Sequence, residues 1–475
     1  MKRVLCLLLA LVLLCGCTPA PETPDQSAEA PQTTGAALVG PEALTADTVL
    51  FYRQDDFDGR RGTLLPLETV RSAPAEALLP RTHLYDEMFP GDGALLLRLL
   101  DYALANGYQG FSVPEGTVPT PDAKQYRALA FAYWIDGGKI LSSEKDGCLT
   151  VWHGCERPDE MEKFSLGLAA AREIAARAPR GDDWETADWI FSWIAEHVVY
   201  GDKETYYFKQ GHMLYDAMVE HNCVCSGFAN AMYYLCNLCG VECLNVYGLA
   251  KDPEKPGGLE DHLWNYVRIY GNWYVCDPTA NATSHMGANV AFALSFDNMQ
   301  ALGGNKPTGE YTDESLIPVC EADFDPVTAW NGSPEGALKS WLWFAAYDAL
   351  DPSYLLLQGG LLSRETKSAP AEDGRSAWVD IPYEAFSAWA DRFMSEEARA
   401  DFPYLFSEAE DGGLTLQKSE TDTRSLWLSL TLRSVADNGD GSYSADLGAA
   451  SAVFTVSQSV DGAYRVETVT LTPNE

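Results

Sequence analysis

The sequence predicts an α+β protein with three folded regions behind a non-globular leader. Segments with helical spacing of apolar residues, such as Ala94 to Ala105, alternate irregularly with segments of strand period. Turn signals join strand-like segments in pairs, at Tyr270-Gly271-Asn272 and at Asp461-Gly462. No internal repeat of solenoid length is present. The folded regions are expected at 48–160, 161–325 and 330–475, each long enough to bury its own core.

The leader comes first. Lys2 and Arg3 precede a short apolar run, Val4 to Leu14, which is too short to span a bilayer as a stable helix. The run ends in Leu14-Cys15-Gly16-Cys17, which resembles a bacterial lipoprotein cleavage box. That resemblance implies a signal peptide over residues 1–16, cleavage before Cys17, and lipidation of Cys17 on its sulfur and new amino group. More than one acyl chain would make the attachment stable. The alternative is an ordinary secretory signal that happens to contain Cys17. Residues 17–47 open with Thr18-Pro19-Ala20-Pro21 and stay poor in apolar side chains, the composition of a disordered tether. The expected location is the outer face of a bacterial cell membrane.

The chain carries 33 basic and 69 acidic residues, a net charge of −36. This balance argues against nucleic acid as a partner and against electrostatic adhesion to anionic lipid. The expected membrane partner is therefore reached through the lipid on Cys17 alone. No later segment has the long uncharged apolar run of a spanning helix.

The N-terminal region, 48–160, reads as a supporting α+β region. Helices are expected over Ala94–Ala105 and Gln125–Trp134, with short strands between Ile140 and Trp152, and no catalytic motif accompanies them. In the middle region Asp182 or Asp183 can cap a helix that runs to about His197. A polar, aromatic-rich loop follows around Asp202 to Gln210. The next helix starts at Cys225 or Ser226 and ends at Cys239, where Gly240 suits the stop. Val241–Gly248, Leu263–Ile269 and Trp273–Cys276 read as strands, with a Pro- and Gly-containing loop over Lys251–Gly258.

The C-terminal region reads as a separate α+β domain. Ser368–Ser376 is linker-like, Tyr383–Met394 is an amphipathic helix, and Leu426, Leu428, Leu430 and Leu432 follow the strand period. Ala452–Ser459 and Tyr464–Leu471 form a further strand pair. The turn Asp437–Gly441 superficially suggests a calcium loop, but Ala436 and Leu447 would occupy the first and twelfth ligand positions, so a hairpin turn is expected.

Twelve cysteines occur, and an exported chain permits disulfides. Cys148 and Cys155 flank a strand-like segment and can pair across a turn. Cys236, Cys239 and Cys243 are expected as small buried apolar residues. A zinc site there lacks a second ligand cluster, and His212 and His221 lack a ligand set. No cofactor and no metal site is expected.

The chemistry concentrates in three residues. Cys225 stands at a loop-to-helix junction, where unpaired N–H groups and a partial positive charge favour a thiolate. Its own N–H can donate to an oxyanion. His262, at the start of a strand, can take the thiol proton and return it to a leaving amine. Asp277, at the end of the next strand, can hold the imidazole in the useful tautomer. Taken singly, each has a bland alternative: a buried filler thiol, a surface histidine, an Asp-Pro turn.

The segments carrying these residues resemble the transglutaminase-like superfamily. His212-Met213-Leu214-Tyr215-Asp216 through Val224-Cys225-Ser226-Gly227-Phe228 resembles its nucleophile segment. His262-Leu263-Trp264-Asn265 and Trp273-Tyr274-Val275-Cys276-Asp277-Pro278 resemble its histidine and aspartate segments. The resemblance covers roughly residues 165–280. It implies a papain-like core, in which a helix bearing the Cys packs on an antiparallel sheet bearing the other two. It also implies Cys225 as nucleophile, His262 as base and acid, and Asp277 as orienter. His212, Tyr215, Ser226 and Trp264 are expected to line the substrate cleft. Two departures stand out: Cys223 replaces a usual Gly, and Ser226 a longer polar residue.

The resulting expectation is an exported, lipid-anchored cysteine hydrolase or acyltransferase. It would act on protein or cell-wall peptide through a thioester at Cys225. The alternative is a non-catalytic surface protein that uses a transglutaminase-like scaffold to bind a partner.

Overall fold

Antiparallel pairing accounts for nearly all the strands of the computed structural model. The structure describes residues 38–474 apart from 59, 134, 136–138, 156, 202–213, 252–256, 284–290, 309–316, 351–354, 357–359, 362–367, 371–375, 411 and 419–423. The described residues from Val39 onward belong to one compact unit. The expected signal segment, Cys17 and most of the expected tether lie outside the described residues. Val39 already bridges to Gly62, and Pro41–Ala43 form a 3-10 turn, so ordered chain begins within the stretch expected as tether. Among the described residues no helix is long and apolar enough to cross a membrane.

The N-terminal sheet contains β1 (Thr48–Tyr52), β2 (Thr63–Pro66), β3 (Gly110–Pro114), β4 (Ile140–Lys145) and β5 (Cys148–His153), in the order β2-β1-β3-β5-β4. Helix α1 (Asp92–Ala105) covers it with Leu96, Leu99, Leu100 and Ala103, all buried at helical spacing. Helix α2 (Ala123–Ala132) starts at a reciprocal capping box between Asp122 and Gln125. Cys148 and Cys155, which could have paired across a turn, form no disulfide. Cys148 opens β5 and Cys155 follows its end, and a strand of that length separates them by roughly 20 Å.

The middle region is a helical layer on a second sheet. Helices α3 (Glu160–Ala175), α4 (Asp183–His197), the short α5 (Leu214–Met218) and α6 (Cys225–Cys239) form the layer. Asp182 is the cap of α4, its carboxylate accepting from the Glu185 N–H at 2.9 Å. Gly240 ends α6 in the left-handed conformation, φ 84°. A two-strand parallel pair, β6 (Val199–Tyr200) and β7 (Asn222–Cys223), leads into α6.

The second sheet contains β8 (Cys243–Lys251), β9 (Leu259–Ile269), β10 (Asn272–Cys276) and β11 (Lys306–Pro307), in the order β10-β9-β8-β11. Strand β9 begins three residues before His262, so His262 sits inside the strand rather than at its start. Its extra length is held by pairing to β8 from Lys251↔Leu259 onward. Tyr270 and Gly271, at φ 49° and 84°, make the tight turn into β10.

Two further four-stranded antiparallel sheets complete the chain. The first contains β12 (Ser368–Pro370), β13 (Ser376–Pro382), β14 (Tyr404–Glu408) and β15 (Gly413–Lys418); the second contains β16 (Leu430–Asp437), β17 (Ser442–Gly448), β18 (Ala450–Gln458) and β19 (Tyr464–Pro473). The expected linker at 368–376 therefore holds a strand, because Ala369 finds a partner in Ala377. The alternating leucines also divide: Arg424–Ser429 is helical and strand begins at Leu430. Trp427, between two of those leucines, is buried against Trp341 and Phe402, and this packing outweighs the local alternation. The Asp437–Gly441 segment is a hairpin turn, with the Asn438 N–H donating to the Ser442 carbonyl at 3.1 Å. Helix α7 (Pro334–Leu350) joins this part to the middle region through Lys339, whose Nζ lies 3.0 Å from Asp182 and 2.9 Å from Glu185.

Candidate active site

Cys225 is the first residue of α6, and that position leaves its backbone available. Val224 is the N-cap, in extended conformation and with no side-chain cap. As the first helical residue, Cys225 has no intrahelical acceptor for its N–H, which stays available to a ligand. Phe228, Met232 and Leu235 anchor the helix in the core, while Cys225 is only partly buried.

His262 arrives on the central strand β9. Its Nε2–H donates to Asp277 Oδ2 at 2.7 Å, and its ring also hydrogen-bonds the Cys225 thiol. With Nε2 engaged by the carboxylate, Nδ1 is the nitrogen left to face the thiol. Burial pulls the His262 pKa down, but the charge and hydrogen bond of Asp277 outweigh it and hold the ring well above the usual imidazole range. Burial likewise raises Asp277, and the His262 charge reverses that and keeps it below the usual carboxylate range. The two groups form a buried ion pair: His262 is 9% exposed and Asp277 1%.

Strand lengths make this geometry. β10 ends at Cys276, paired with Asn265, so Asp277 lies just beyond the ladder and its side chain is free to turn toward His262. Its backbone N–H donates to the Ala291 carbonyl at 2.8 Å. Its Oδ1 accepts from the Ala280 N–H at 3.1 Å, and Oδ2 also accepts from Asn305 Nδ2 at 3.1 Å. On the other side of His262, across the ladder, stands Gly248. A Cβ there would lie 2.7 Å from the Trp264 ring and 2.2 Å from the Lys306 carbonyl oxygen. Glycine lets Trp264 lie beneath the imidazole, their rings stacked at 5.8 Å and 23°.

A chain of buried amides ties helix to sheet. Asn265 Nδ2 donates to the Ala229 carbonyl of α6 and to Asn245 Oδ1, both at 3.0 Å, and Asn245 Nδ2 donates to Asn230 Oδ1 at 3.2 Å. These bonds fix α6, which carries the thiol, against β9, which carries the imidazole. Sequence reading missed Asn305, Gly248 and this ladder. Only the HLWN segment, whose fourth residue is Asn265, gave a local signal.

The structure brings Cys225, His262 and Asp277 together. Trp264 is buried beneath His262, and Ser226 is buried in the first turn of α6. Tyr215 lies on the α3 side, under Lys163 Nζ at 5.6 Å, and bonds Glu220. His212 lies outside the described residues. Cys223 is fully buried two residues before the thiol, and burial pushes its pKa far up, so it stays a neutral apolar group. Cys236 and Cys243 hydrogen-bond each other in the core, as small buried side chains.

A second grouping of the same three chemical types lies elsewhere. His153, Cys155 and Glu160 place one potential ligand atom each within 4.8 Å of one another. Nothing in their spacing announced it, because His153 ends a strand and Glu160 begins a helix.

Residues 169–278 match the family model described as the transglutaminase-like superfamily. A stretch of 107 residues is 30% identical to kyphoscoliosis peptidase of Homo sapiens and 29% identical to that of Mus musculus. In each case the match covers 20% of this chain and 16% of the relative, so the chain spans about a sixth of the length of these relatives. Among solved structures, one described as a TGase is 14% identical with a TM-score of 0.21, over 34% of this chain and 49% of that one. The periplasmic domain of TgpA from Pseudomonas aeruginosa is 14% identical with a TM-score of 0.21, over 29% of this chain and 55% of that one. The core that carries Cys225, His262 and Asp277 has the transglutaminase-like fold, a mixed α+β architecture with the Cys-bearing helix on an antiparallel sheet.

Proposed function

We propose that the protein is a thiol-dependent hydrolase or acyltransferase acting on amide bonds of protein or cell-wall peptide. The observation that carries this reading is the His262 ring, held between the Cys225 thiol and the Asp277 carboxylate. In the proposed cycle His262 holds the proton taken from the Cys225 thiol, and the sulfur attacks the amide carbon. The carbonyl electron pair moves onto oxygen, where the Cys225 N–H can donate to it. As the intermediate collapses, the C–N bond breaks and His262 returns the proton to the leaving amine, leaving a thioester. Water, or a second amine, then loses a proton to His262 and attacks the thioester, and the sulfur leaves and is reprotonated. Asp277 keeps the imidazole oriented and stabilises its charged form throughout.

Hydrolysis is the preferred outcome, since water needs no second binding site, and the peptidase name of the curated relatives agrees with it. The proposal includes export and anchoring through lipid on Cys17 at the outer face of a bacterial membrane. A Cys17→Ala form should then leave the membrane fraction, and its retention there would count against the anchor.

Mild alkylation tests the chemistry. Cys225 should react with iodoacetamide far faster than the other thiols, and His262→Ala should slow it. Equal reactivity of all the cysteines would leave only the reading as a non-catalytic binding scaffold. Incubation with casein and cell-wall peptides, with and without a labelled amine, separates hydrolysis from transfer. Incorporation of label that disappears in Cys225→Ala would refute hydrolysis as the sole outcome.

A further inference from the structure

The second thiol–imidazole–carboxylate grouping cannot act as the first does. Cys155 Sγ lies 3.6 Å from His153 Nδ1, and Glu160 Oε1 lies 3.3 Å from that same nitrogen. A relay needs the thiol and the carboxylate on opposite nitrogens, whereas here both converge on one. The Nδ1···Oε1 separation is long for a charge-assisted N–H···O bond, usually about 2.7–2.9 Å, and one N–H cannot point at two acceptors well.

These distances fit the edges of a coordination polyhedron. Zinc binds thiolate sulfur at about 2.3 Å, imidazole nitrogen at about 2.0–2.1 Å and carboxylate oxygen at about 2.0–2.2 Å, usually tetrahedrally. Tetrahedral edges built from those lengths are about 3.6 Å for S···N and about 3.4 Å for N···O. All three ligand atoms lie within 4.8 Å of one another, and His153 and Glu160 are fully buried. The carboxylate is pre-oriented: the Arg157 backbone N–H donates to Oε2 at 3.3 Å, and Oε1 faces His153. Cys155 is only partly buried, which leaves a side open to an entering ion and a fourth ligand, water.

We propose that His153, Cys155 and Glu160 bind one divalent transition-metal ion, zinc in the first instance. Binding releases the Cys155 proton to solvent, and the resulting thiolate and carboxylate neutralise the dication, so the buried site carries no net charge. A thiolate ligand disfavours calcium and magnesium. The ion would clamp the end of β5 to the first turn of α3, and thus the N-terminal sheet to the helical layer behind the candidate active site. This inference is independent of the proposed enzymatic activity.

The test uses the full chain, stripped with a chelator and titrated with zinc chloride against a chromophoric competitor. A parallel titration with cobalt(II) follows thiolate-to-metal charge transfer and the visible bands of a tetrahedral site. Because Cys225, His262 and Asp277 are also potential ligands, the controls are chosen to separate the two places. One equivalent should bind to the wild type and equally to Cys225→Ala. Cys155→Ser should lower the affinity by about 100-fold or more and abolish the cobalt charge-transfer band, since even outer-shell changes cost about 10–100-fold. An unchanged circular dichroism spectrum and unchanged alkylation of Cys225 would show that Cys155→Ser is folded. Three outcomes would each overturn the proposal: no binding at micromolar zinc, binding untouched by Cys155→Ser, or binding lost in Cys225→Ala.

Discussion

Among the described residues the chain contains two thiol–imidazole–carboxylate groupings, and they differ in how the ring is used. At His262 the carboxylate occupies Nε2, which leaves Nδ1 for the thiol; at His153 both partners crowd Nδ1. Burial lowers the pKa of both rings. At His262 a carboxylate at 2.7 Å reverses that effect, whereas at His153 the value falls to about 4. The same residue types therefore yield a charged proton carrier in one place and a neutral ring in the other. What separates them is strand geometry. Asp277 comes from a neighbouring strand and approaches the far side of the imidazole. Cys155 and Glu160 lie close to His153 in sequence and can reach only its near side.

Exchange of the two nucleophile positions should break the comparison most strongly. Cys225→Ala should abolish thioester turnover and leave metal binding intact. Cys155→Ala should do the reverse, removing stoichiometric metal while turnover stays within about twofold, as for a change away from the reacting atoms. Turnover assays and elemental analysis of the same preparations check both. Dependence of turnover on Cys155 would sink the division of labour.

Asp277→Asn comes next. It preserves shape but removes the charge that holds the His262 ring upright, and should lower turnover by about 10²- to 10⁴-fold. It should also move the His262 pKa downward, because burial would then act without its counterweight. A pH–rate profile or the NMR titration of the ring reads this directly. Stability should shift in a defined direction. The raised His262 value contributes stability that is fully present below the ordinary imidazole value of 6.5 and is lost as pH rises through the folded value. The depressed Asp277 value contributes stability present above its ordinary 3.8 and lost as pH falls through its folded value. Urea unfolding of the wild type should therefore show a plateau between the two ordinary values, 3.8 and 6.5, and a decline above it, and Asp277→Asn should flatten that decline. An identical decline in both proteins would assign it to other groups.

The parts of the site legible in the sequence are those where chemistry dictates the residue type at an element's end. A thiol at a helix start, a histidine on one strand and an aspartate after the next can be read without coordinates. The supporting residues cannot. Asn305 reaches Asp277 from beside a two-residue strand too short to show a period. Asn245 and Asn230 are buried polar residues whose partners lie on other elements, and their value appears only when the ladder is seen whole. His153 and Glu160 escaped notice because their convergence depends on a bend between strand and helix. The leucines from 426 to 432 misled because tertiary packing of Trp427 decided the local conformation.

That amide ladder supports a prediction of intermediate size. Asn265→Ala removes donors to the Ala229 carbonyl and to Asn245, both buried, and should cost about 1–3 kcal/mol in denaturant unfolding. It should also slow Cys225 alkylation, because α6 would lose its fixed distance from β9. A loss of stability with alkylation unchanged would make the ladder purely structural.

Gly248→Ala carries the smallest expected effect and sharpens the picture of how His262 is seated. The added methyl would fall 2.2 Å from the Lys306 carbonyl oxygen, a backbone atom of the edge strand, and 2.7 Å from the Trp264 ring. Trp264 is fully buried and stacked under the imidazole, so it has little room to yield. The edge strand β11, only two residues long, is the cheaper one to move. Displacing it carries Asn305 with it and strips one hydrogen bond from Asp277. The expected cost is about 1–3 kcal/mol of stability, as for other overpacking changes. Turnover should drop only severalfold, since His262 keeps its own bond to Asp277. The zinc stoichiometry should not change, because the His153 grouping lies on the other sheet. If turnover instead collapsed as far as in Asp277→Asn, the edge strand would be holding the carboxylate in place rather than merely supporting it.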